Sequence, residues 1–428
     1  MPVTIADPLT LPCGVRLKNR LVKAAMTEGL ADETNRATPR LDALYHRWAE
    51  GGAGLLITGN VQVDRRFLER PGNVAIDGPQ DAAAMRTLES LAASANGTGS
   101  EIIVQLSHAG RQTPIYVNKR PVAPSEIALD LPGGQFGAPR ALAADEIEDV
   151  IQRFAHAASV CKAAGFAGVQ AHGAHGYLIS EFLNPIANRR TDEWGGSLDN
   201  RARLLLRVVA AIRAKVGSGF PVAVKLNSSD FQKGGFAFDE CLQVIEWLNE
   251  EGIDFLEISG GSYEQPKMMG IEGVAPAEEQ RPSTKAREAY FLQYAEEAAR
   301  VAKMPLMVTG GFRSRAAMDG ALASGAADLV GVARPLCVDP DICAKLLSGV
   351  VAEAPRHEKN LRLGDGFWGP NSKNAFIKAL NGFAGMAFYY ENIFRLAGGE
   401  EAQDDMPLFP AFLRHQVGER RQARRLKR

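Results

Sequence analysis

The sequence has little cysteine, almost no net charge and no long apolar run, and each absence excludes a class of protein. The five cysteines are odd in number and widely spaced among 428 residues, a pattern typical of a reducing cytosol rather than of a disulfide framework. The formal net charge of −1 gives no reason to expect nucleic acid or an anionic membrane as the main partner. No apolar run reaches about 18 residues, and no basic segment precedes an apolar one at the start, so we predict neither a membrane span nor a secretory signal. The expectation is a cytoplasmic globular protein.

Short apolar segments alternate with helical segments of 3.6-residue period along most of the chain. Such alternation indicates βαβ units and a parallel sheet. Eight units at a spacing of roughly 40 residues predict a (β/α)8 TIM barrel. An open doubly wound α/β sheet is the competing fold, and the lack of a G-x-G-x-x-G motif after the first strand weakens it. The predicted strands are 21–26, 54–58, 101–106, 167–171, 221–226, 254–259, 305–310 and 327–333.

The character of the sequence changes after Gly349. We therefore predict a barrel domain over residues 1–349 and a C-terminal extension over 350–428. The extension is first aromatic and partly helical, and its segment 367–395 would cover either the side of the barrel or an interface in a homodimer or higher homo-oligomer. Its end, RHQVGERRQARRLKR, is strongly basic, and we expect a solvated, frayed tail there.

Glycines and polar residues follow several predicted strands, where the chemistry of a (β/α)8 barrel lies. Gly310 and Gly311 follow the seventh strand and Arg334 follows the eighth; loops at these two places commonly form a phosphate site. Glycine lets the backbone approach an anion closely, and arginine can bind it through two hydrogen bonds. A plain strand–turn–helix with a surface arginine is the alternative. Other polar residues on the same rim are Thr27, Gln105, Lys225 and Asn227.

The segment AHGAHGYL (171–178) places His172, His175 and Tyr177 among small residues directly after the fourth predicted strand. As metal ligands the histidines lack a third partner nearby, since the nearest carboxylate, Glu181, lies six residues beyond His175. A structural role, with both rings satisfied within a loop, is a second interpretation. A third makes them neutral donors that polarise a substrate carbonyl, with Tyr177 as the proton donor to a carbanion.

Longer stretches around these residues resemble the signature of the old yellow enzyme family of FMN-dependent oxidoreductases. The strongest reads AHGAHGYLISEFLNPIANRRTDEWGGSLDNRARLLLRVV (171–209). Trp194 stands where the family more often has tyrosine, and the cysteine cluster of the iron–sulfur members does not follow the barrel. Further matches, in the family's order, are NRLVKAAMTEGLAD (19–32), VQLSHAGRQ (104–112), VKLNSSDF (224–231) and TGGFRSRAAMDGALASGAADLVGVARPL (309–336).

The resemblance implies FMN bound at the top of the barrel and assigns roles to residues of this chain. Thr27 would contact the flavin C4 oxygen, and Gln105 would hydrogen-bond the pyrimidine ring. Lys225 would lie beside N1 and the C2 oxygen, where most members carry arginine; lysine keeps the charge but loses the planar fork. The ribityl and phosphate groups would lie along Ala25, Met26, Gly310, Gly311, Ala333 and Arg334.

The implied activity is a ping-pong ene-reductase. NADPH or NADH would reduce the flavin, and an α,β-unsaturated carbonyl or nitro compound would then be reduced at its C=C bond. His172 and His175 would bind the substrate oxygen, and Tyr177 would protonate the α-carbon. We expect a small-molecule substrate and no metal. Two other classes stay open: a metal-dependent barrel hydrolase or lyase that uses both histidines, and a non-catalytic flavin-binding barrel.

Overall fold

Eight parallel strands close into a barrel in the computed structural model, which describes residues 2–129, 131, 134–260 and 292–427. Each strand pairs with the next along the chain, and the last pairs with the first. The predicted (β/α)8 fold is therefore confirmed, and the open sheet is excluded. The strands are β1 (Leu21–Lys23), β2 (Leu55–Gln62), β3 (Glu101–Ser107), β4 (Gly168–Gly173), β5 (Val222–Asn227), β6 (Phe255–Ser259), β7 (Leu306–Thr309) and β8 (Leu329–Val332).

Helices follow the strands and cover the outside of the barrel. Between β6 and β7 the structure describes residues 260 and 292–305, which include the helix α7 (Leu292–Ala298). In the described ranges no helix is long and apolar enough to cross a membrane. The helices are α1 (Pro39–Glu50), α2 (Ala82–Ala93), α3 (Ala144–Ala163), α4 (Leu178–Leu183), α5 (Leu198–Val216), α6 (Phe238–Glu250), α7 (Leu292–Ala298), α8 (Arg315–Ala323) and α9 (Ile342–Ser348).

Alternate residues of each strand point into the barrel, and the lower layer of this interior is apolar. It contains Ile103, Ala223 and Phe255, all buried. A two-stranded sheet of Leu9–Thr10 and Arg16–Leu17 packs against the same cluster. Because side chains alternate with a period of two, the residues two positions further along these strands also lie inside, nearer the C-terminal rim. These are Gln105, Lys225 and Glu257.

The extension packs on the barrel and contains two long helices. The first, α10 (Ala375–Leu396), contributes Ile393 to the same apolar core as the barrel helices. The second, α11 (Leu408–Arg425), packs against α10 through Ala411. The extension thus shares the core of the barrel.

The tail predicted over 414–428 is not frayed, because α11 continues to Arg425. Its arginines are exposed, as expected for a solvated segment, while the buried Leu408, Ala411 and His415 of α11 recur at helical spacing on the packed face. Near its end, Gln422 Nε2 donates to Gly29 O at 3.1 Å. Gly29 lies in the loop after β1, so the tail covers part of the C-terminal rim. The high charge of the segment concealed the apolar face that this helix buries.

Arg70, in the loop after β2, joins the extension to the rim. Its guanidinium lies 3.9 Å from the ring centroid of Tyr390 and 2.9 Å from Glu419 Oε1. Only 12% of the Arg70 side chain is exposed, so the charge depends on protein partners rather than on water. Tyr390 in turn stacks on His415, with 4.8 Å between the ring centroids.

Glu419→Gln is expected to lower the melting temperature, because it leaves the Arg70 cation without its nearest carboxylate. Breaking a buried ion pair costs about 3–5 kcal/mol, and the partial exposure of this pair reduces the expected loss to about 2 kcal/mol. Glu391→Gln is the matched control: Glu391 pairs at 3.1 Å with Arg414, whose side chain is 56% exposed, so little change is expected. Thermal unfolding compares the two variants, and equal melting temperatures would show that Arg70 does not need Glu419.

Candidate functional site

A chain of buried polar side chains crosses the barrel interior above its apolar layer. Gln105 Nε2 donates to Gln170 Oε1 at 2.7 Å, and Gln170 Nε2 donates to Glu257 Oε2 at 2.9 Å. Lys225 Nζ lies 2.8 Å from Glu257 Oε1. The register explains these contacts, since Gln105 lies opposite Gln170, and Lys225 lies opposite Glu257. The structure thus joins two predicted residues, Gln105 and Lys225, into one network with two that the sequence reasoning missed.

His172 lies near the end of β4, opposite Lys225 in the sheet. Burial first, and then the Lys225 cation, lower the pKa of His172 well below its usual value, so the ring is neutral near pH 7. Its Nδ1 accepts a hydrogen bond from the backbone N–H of Ala174 at 3.2 Å. A neutral imidazole carries one proton, so that proton lies on Nε2, which is a hydrogen-bond donor.

His175 lies in the loop after β4 in a left-handed backbone conformation, with φ of 64°. Its N–H donates to Asn227 Oδ1 at 3.2 Å, and its C=O accepts from Gln112 Nε2 at 2.9 Å. Its ring Nε2 lies 2.7 Å from Ser259 Oγ. A non-glycine residue in this conformation costs about 1 kcal/mol or more and persists where its neighbours fix it. Burial, followed by the Lys225 cation, lowers the pKa of His175 well below its usual value, so this ring is also neutral.

Tyr177 precedes α4 and brings its phenol ring beside the imidazole of His172, which in turn contacts that of His175. Its ring centroid lies 4.9 Å from that of His172, with the planes at 72°, and the rings of His172 and His175 are 5.1 Å apart. The next residue fixes the backbone, since Leu178 N–H donates to His108 O at 3.0 Å. The structure therefore brings the three residues of the predicted substrate site together.

The segment after β1 is held against β2 at the rim. Thr27 donates its hydroxyl to Glu69 Oε2 at 3.0 Å. The next residue, Glu28, accepts from the Gly59 N–H at 2.9 Å. A Cβ at Gly59 would lie 2.4 Å from Met26 O, so only glycine lets β2 pass this close. Met26 and Thr27 are thereby fixed beside the end of β2.

The loops after β7 and β8 bring glycines and two arginines together. Gly310 and Gly311 have φ of 113° and 88°, in the region that favours glycine. Arg334 Nη2 lies 3.9 Å from Glu358 Oε1, and Arg313, which the sequence reasoning did not single out, donates to the same oxygen at 2.7 Å. Two neighbouring guanidinium groups carry positive charge that complements the negative charge of a phosphate. The adjoining strand ends carry Ala25 and Ala333, which pack against the apolar cluster of the interior.

Several polar atoms at the rim are buried without a hydrogen-bond partner among the described residues. They include Asn60 Oδ1 in β2, opposite Gln105, and Thr309 Oγ1 at the end of β7. Buried polar groups are nearly always hydrogen-bonded, so both atoms fit a polar ligand at this rim. The residues present suit FMN: amides and a lysine for the ring, and two glycines with two arginines for the phosphate.

The functional candidates that sequence reasoning missed differ in the signal they carried. Gln170 lies two residues before His172, and Glu257 lies two residues before Ser259, so strand alternation places all four side chains inside the barrel. That alternation could have identified them. The extension residue Glu358 carried no such signal, because its partners Arg313 and Arg334 lie in other loops.

The metal interpretation of the two histidines gains no support. Within the described ranges, no group of three His, Cys, Asp or Glu side chains is placed to hold a metal ion. Each ring already has one nitrogen in contact with the protein, His172 with the Ala174 N–H and His175 with Ser259. The five cysteines are all free.

Comparison with known proteins identifies related sequences along most of the chain. The model of the NADH:flavin oxidoreductase / NADH oxidase family matches residues 5–353. The NADH-dependent flavin oxidoreductase iliE of Hypocrea jecorina is 40% identical over 354 residues, which cover 78% of this chain and 86% of that protein. The protein of the same name from a Neonectria species is 39% identical over 349 residues, 78% of this chain; the match spans only 45% of that longer relative. An NADPH dehydrogenase of Bacillus pumilus is 31% identical over 343 residues, covering 79% of this chain and 93% of that protein.

Solved structures give the same picture of the fold. The old yellow enzyme homologue from Zymomonas mobilis superposes with a TM-score of 0.68 at 27% identity, covering 82% of this chain and 94% of that one. A 2-naphthoyl-CoA reductase, in complex with 2-naphthoyl-CoA, gives a TM-score of 0.73 at 26% identity, covering 82% of this chain and 53% of that one. The family match ends at residue 353, so α10 and α11 lie outside it.

Proposed function

Because the chain belongs to the NADH:flavin oxidoreductase / NADH oxidase family of FMN enzymes, we propose that it reduces the C=C bond of α,β-unsaturated carbonyl or nitro compounds with NADH or NADPH. The observation that carries this substrate class is a pair of neutral imidazoles beside a phenol: His172, His175 and Tyr177. Such compounds offer an oxygen to bind and an α-carbon to protonate. The two imidazoles can donate hydrogen bonds to the oxygen, and the phenol can protonate the α-carbon.

Bound FMN would supply the hydride chemistry, taking hydride from the nicotinamide and giving it to the β-carbon of the substrate. The protein side chains stabilise the developing negative charge and donate a proton. Neutral imidazole N–H groups stabilise the negative charge that develops on the substrate oxygen, and His172 offers Nε2–H because its Nδ1 accepts from Ala174. Tyr177 gives its proton to the α-carbon. Nicotinamide and substrate would use this one site in turn, which makes the kinetics ping-pong.

Two groups of residues would hold FMN at its ends. Gln105 and Lys225, in the buried network, would lie beside the flavin ring, and Arg334 with Arg313 would bind the phosphate. Lys225 shares its charge with Glu257 at 2.8 Å, so it attracts electron density on the ring less strongly than an isolated cation.

Lys225→Met is expected to weaken FMN binding about tenfold or more, because it leaves the buried Glu257 carboxylate without its cation. The double variant Lys225→Met/Glu257→Gln removes both charges and should recover part of the loss. FMN retained after dialysis, measured by absorbance, compares the two variants. Unchanged retention in the single variant would make Lys225 a bystander.

NADH is the donor we propose as the preferred one. The relatives at 40% and 39% identity are named NADH-dependent, whereas the NADPH dehydrogenase is 31% identical. Anaerobic titration with each nicotinamide tests this, and we expect NADH to bleach the flavin absorbance at the lower concentration. Bleaching by NADPH at the lower concentration would reverse the assignment.

The reaction is tested by adding an enone, such as 2-cyclohexenone, or a nitroalkene to the reduced enzyme under the same anaerobic conditions. We expect the flavin bands to return as the C=C bond is reduced, with one equivalent of substrate consumed per flavin. Bleaching by NADH without recovery on adding either compound would leave the family membership intact and reject the substrate class.

A further inference from the structure

Ser259 reaches His175 from a different strand of the barrel. It is the last residue of β6, is 4% exposed, and lies two positions after Glu257, so its side chain points into the barrel. Its Oγ lies 2.7 Å from His175 Nε2. None of the roles assigned above explains this contact.

The contact bears on which ring nitrogen of His175 carries its single proton. A serine hydroxyl can donate or accept, and a neutral imidazole has one N–H and one bare nitrogen. If Nε2–H donates to Ser259, Nδ1 is a bare acceptor that repels a substrate oxygen. If the Ser259 hydroxyl donates to Nε2, the proton lies on Nδ1, and this N–H is available to the substrate.

The backbone of His175 is fixed, so the ring cannot leave Ser259 by a movement of the loop. The N–H is bonded to Asn227 Oδ1 at 3.2 Å and the C=O to Gln112 Nε2 at 2.9 Å, with φ at 64°. Only rotation of the side chain releases Nε2. In the observed arrangement, Nδ1 is the ring nitrogen that Ser259 leaves for another partner.

We propose that Ser259 donates its hydroxyl proton to His175 Nε2 and thereby holds His175 as the Nδ1–H tautomer, the form that can donate to a substrate oxygen. Ser259 is then a positioning residue that acts through His175. The tautomer is a property of the resting enzyme and can be measured without substrate; the choice of the Ser259 hydroxyl as donor rests on the proposed function, in which His175 donates to a substrate oxygen. The two histidines then differ, since His172 is held as the Nε2–H tautomer by the Ala174 N–H.

Nitrogen-15 NMR of the holoenzyme labelled at histidine tests the tautomer directly. The spectrum of His175→Asn assigns the His175 signals by their loss. We expect His175 Nδ1 to show the shift of a protonated ring nitrogen and Nε2 that of a bare one, with the reverse for His172. A wild-type spectrum with the proton on His175 Nε2 overturns the proposal.

Three substitutions extend the test to ligand binding. Ser259→Ala should move His175 toward the Nε2–H tautomer and weaken binding of a phenol about tenfold, with FMN content unchanged. Ser259→Thr keeps the hydroxyl and should keep both properties. Ser100→Ala is the matched control: Ser100 is buried just before β3, at the opposite end of the barrel, and its hydroxyl donates to Ala53 O at 2.7 Å, so neither readout should change.

The outcomes separate this proposal from the proposed function. An unchanged tautomer in Ser259→Ala overturns the role of Ser259. A shifted tautomer with unchanged phenol affinity supports that role and rejects contact between His175 and the substrate oxygen. A shifted tautomer with weaker phenol binding supports both.

Discussion

Tyr177→Phe is expected to slow turnover with an enone by about 10²–10⁴-fold while leaving the reduction of the bound flavin by NADH nearly unchanged. The substitution removes one hydroxyl and keeps the ring that packs at 72° against His172. The proton is needed only when the α-carbon becomes a carbanion, so only the half-reaction with substrate should suffer. Stopped-flow absorbance measures the two half-reactions separately.

Tyr294→Phe is the matched control for this experiment. Tyr294 lies in α7, and its ring packs on Phe231 and Phe238 at centroid distances of 5.9 and 4.9 Å. Neither half-reaction should change in this variant. If Tyr177→Phe instead slowed reduction by NADH and spared the enone step, Tyr177 would serve nicotinamide binding and not proton transfer.

His172→Ala is expected to weaken the binding of phenols, which mimic an enolate, by about 10- to 100-fold. A hydrogen bond to a charged partner contributes about 1.5–3 kcal/mol, and each 1.4 kcal/mol is about tenfold in affinity. The variant removes the Nε2–H donor and reduces the stabilisation of charge on a substrate oxygen, so enone turnover should fall as well. Titration of the absorbance change on phenol binding gives the dissociation constant.

His156→Ala serves as the control for a lost histidine. His156 lies in α3, and its Nε2 is 2.8 Å from Gly78 O, so phenol affinity should be unaffected. The pH dependence adds a second check. The pKa values of His172 and His175 lie well below the usual range, so protonation of either ring, which would strengthen binding of a phenolate, should occur only at clearly acidic pH. An imidazole step near pH 7 would contradict their neutral roles.

The sequence by itself determined the fold and the local part of the site. Apolar segments with helical segments between them predicted eight strands, because a parallel strand must bury both faces and needs a helix to return the chain. His172, His175 and Tyr177 are neighbours in sequence at one strand end, so a single element positions all three. Family motifs in this region carried the same information.

Only the tertiary structure decided which side chains these residues contact. The contact of Lys225 with Glu257 and that of His175 with Ser259 join residues more than 30 positions apart in sequence. A period of two shows which face of a strand a side chain occupies, but closure and register decide which side chain lies opposite. The same holds for the extension. From its sequence, the end of α11 indicates a charged tail, and only its packing against α10 reveals the apolar face of the helix. Contacts between residues distant in sequence therefore decide three features. They pair Lys225 with Glu257 beside the expected flavin ring, underlie the tautomer proposed for His175, and place α11 over the C-terminal rim.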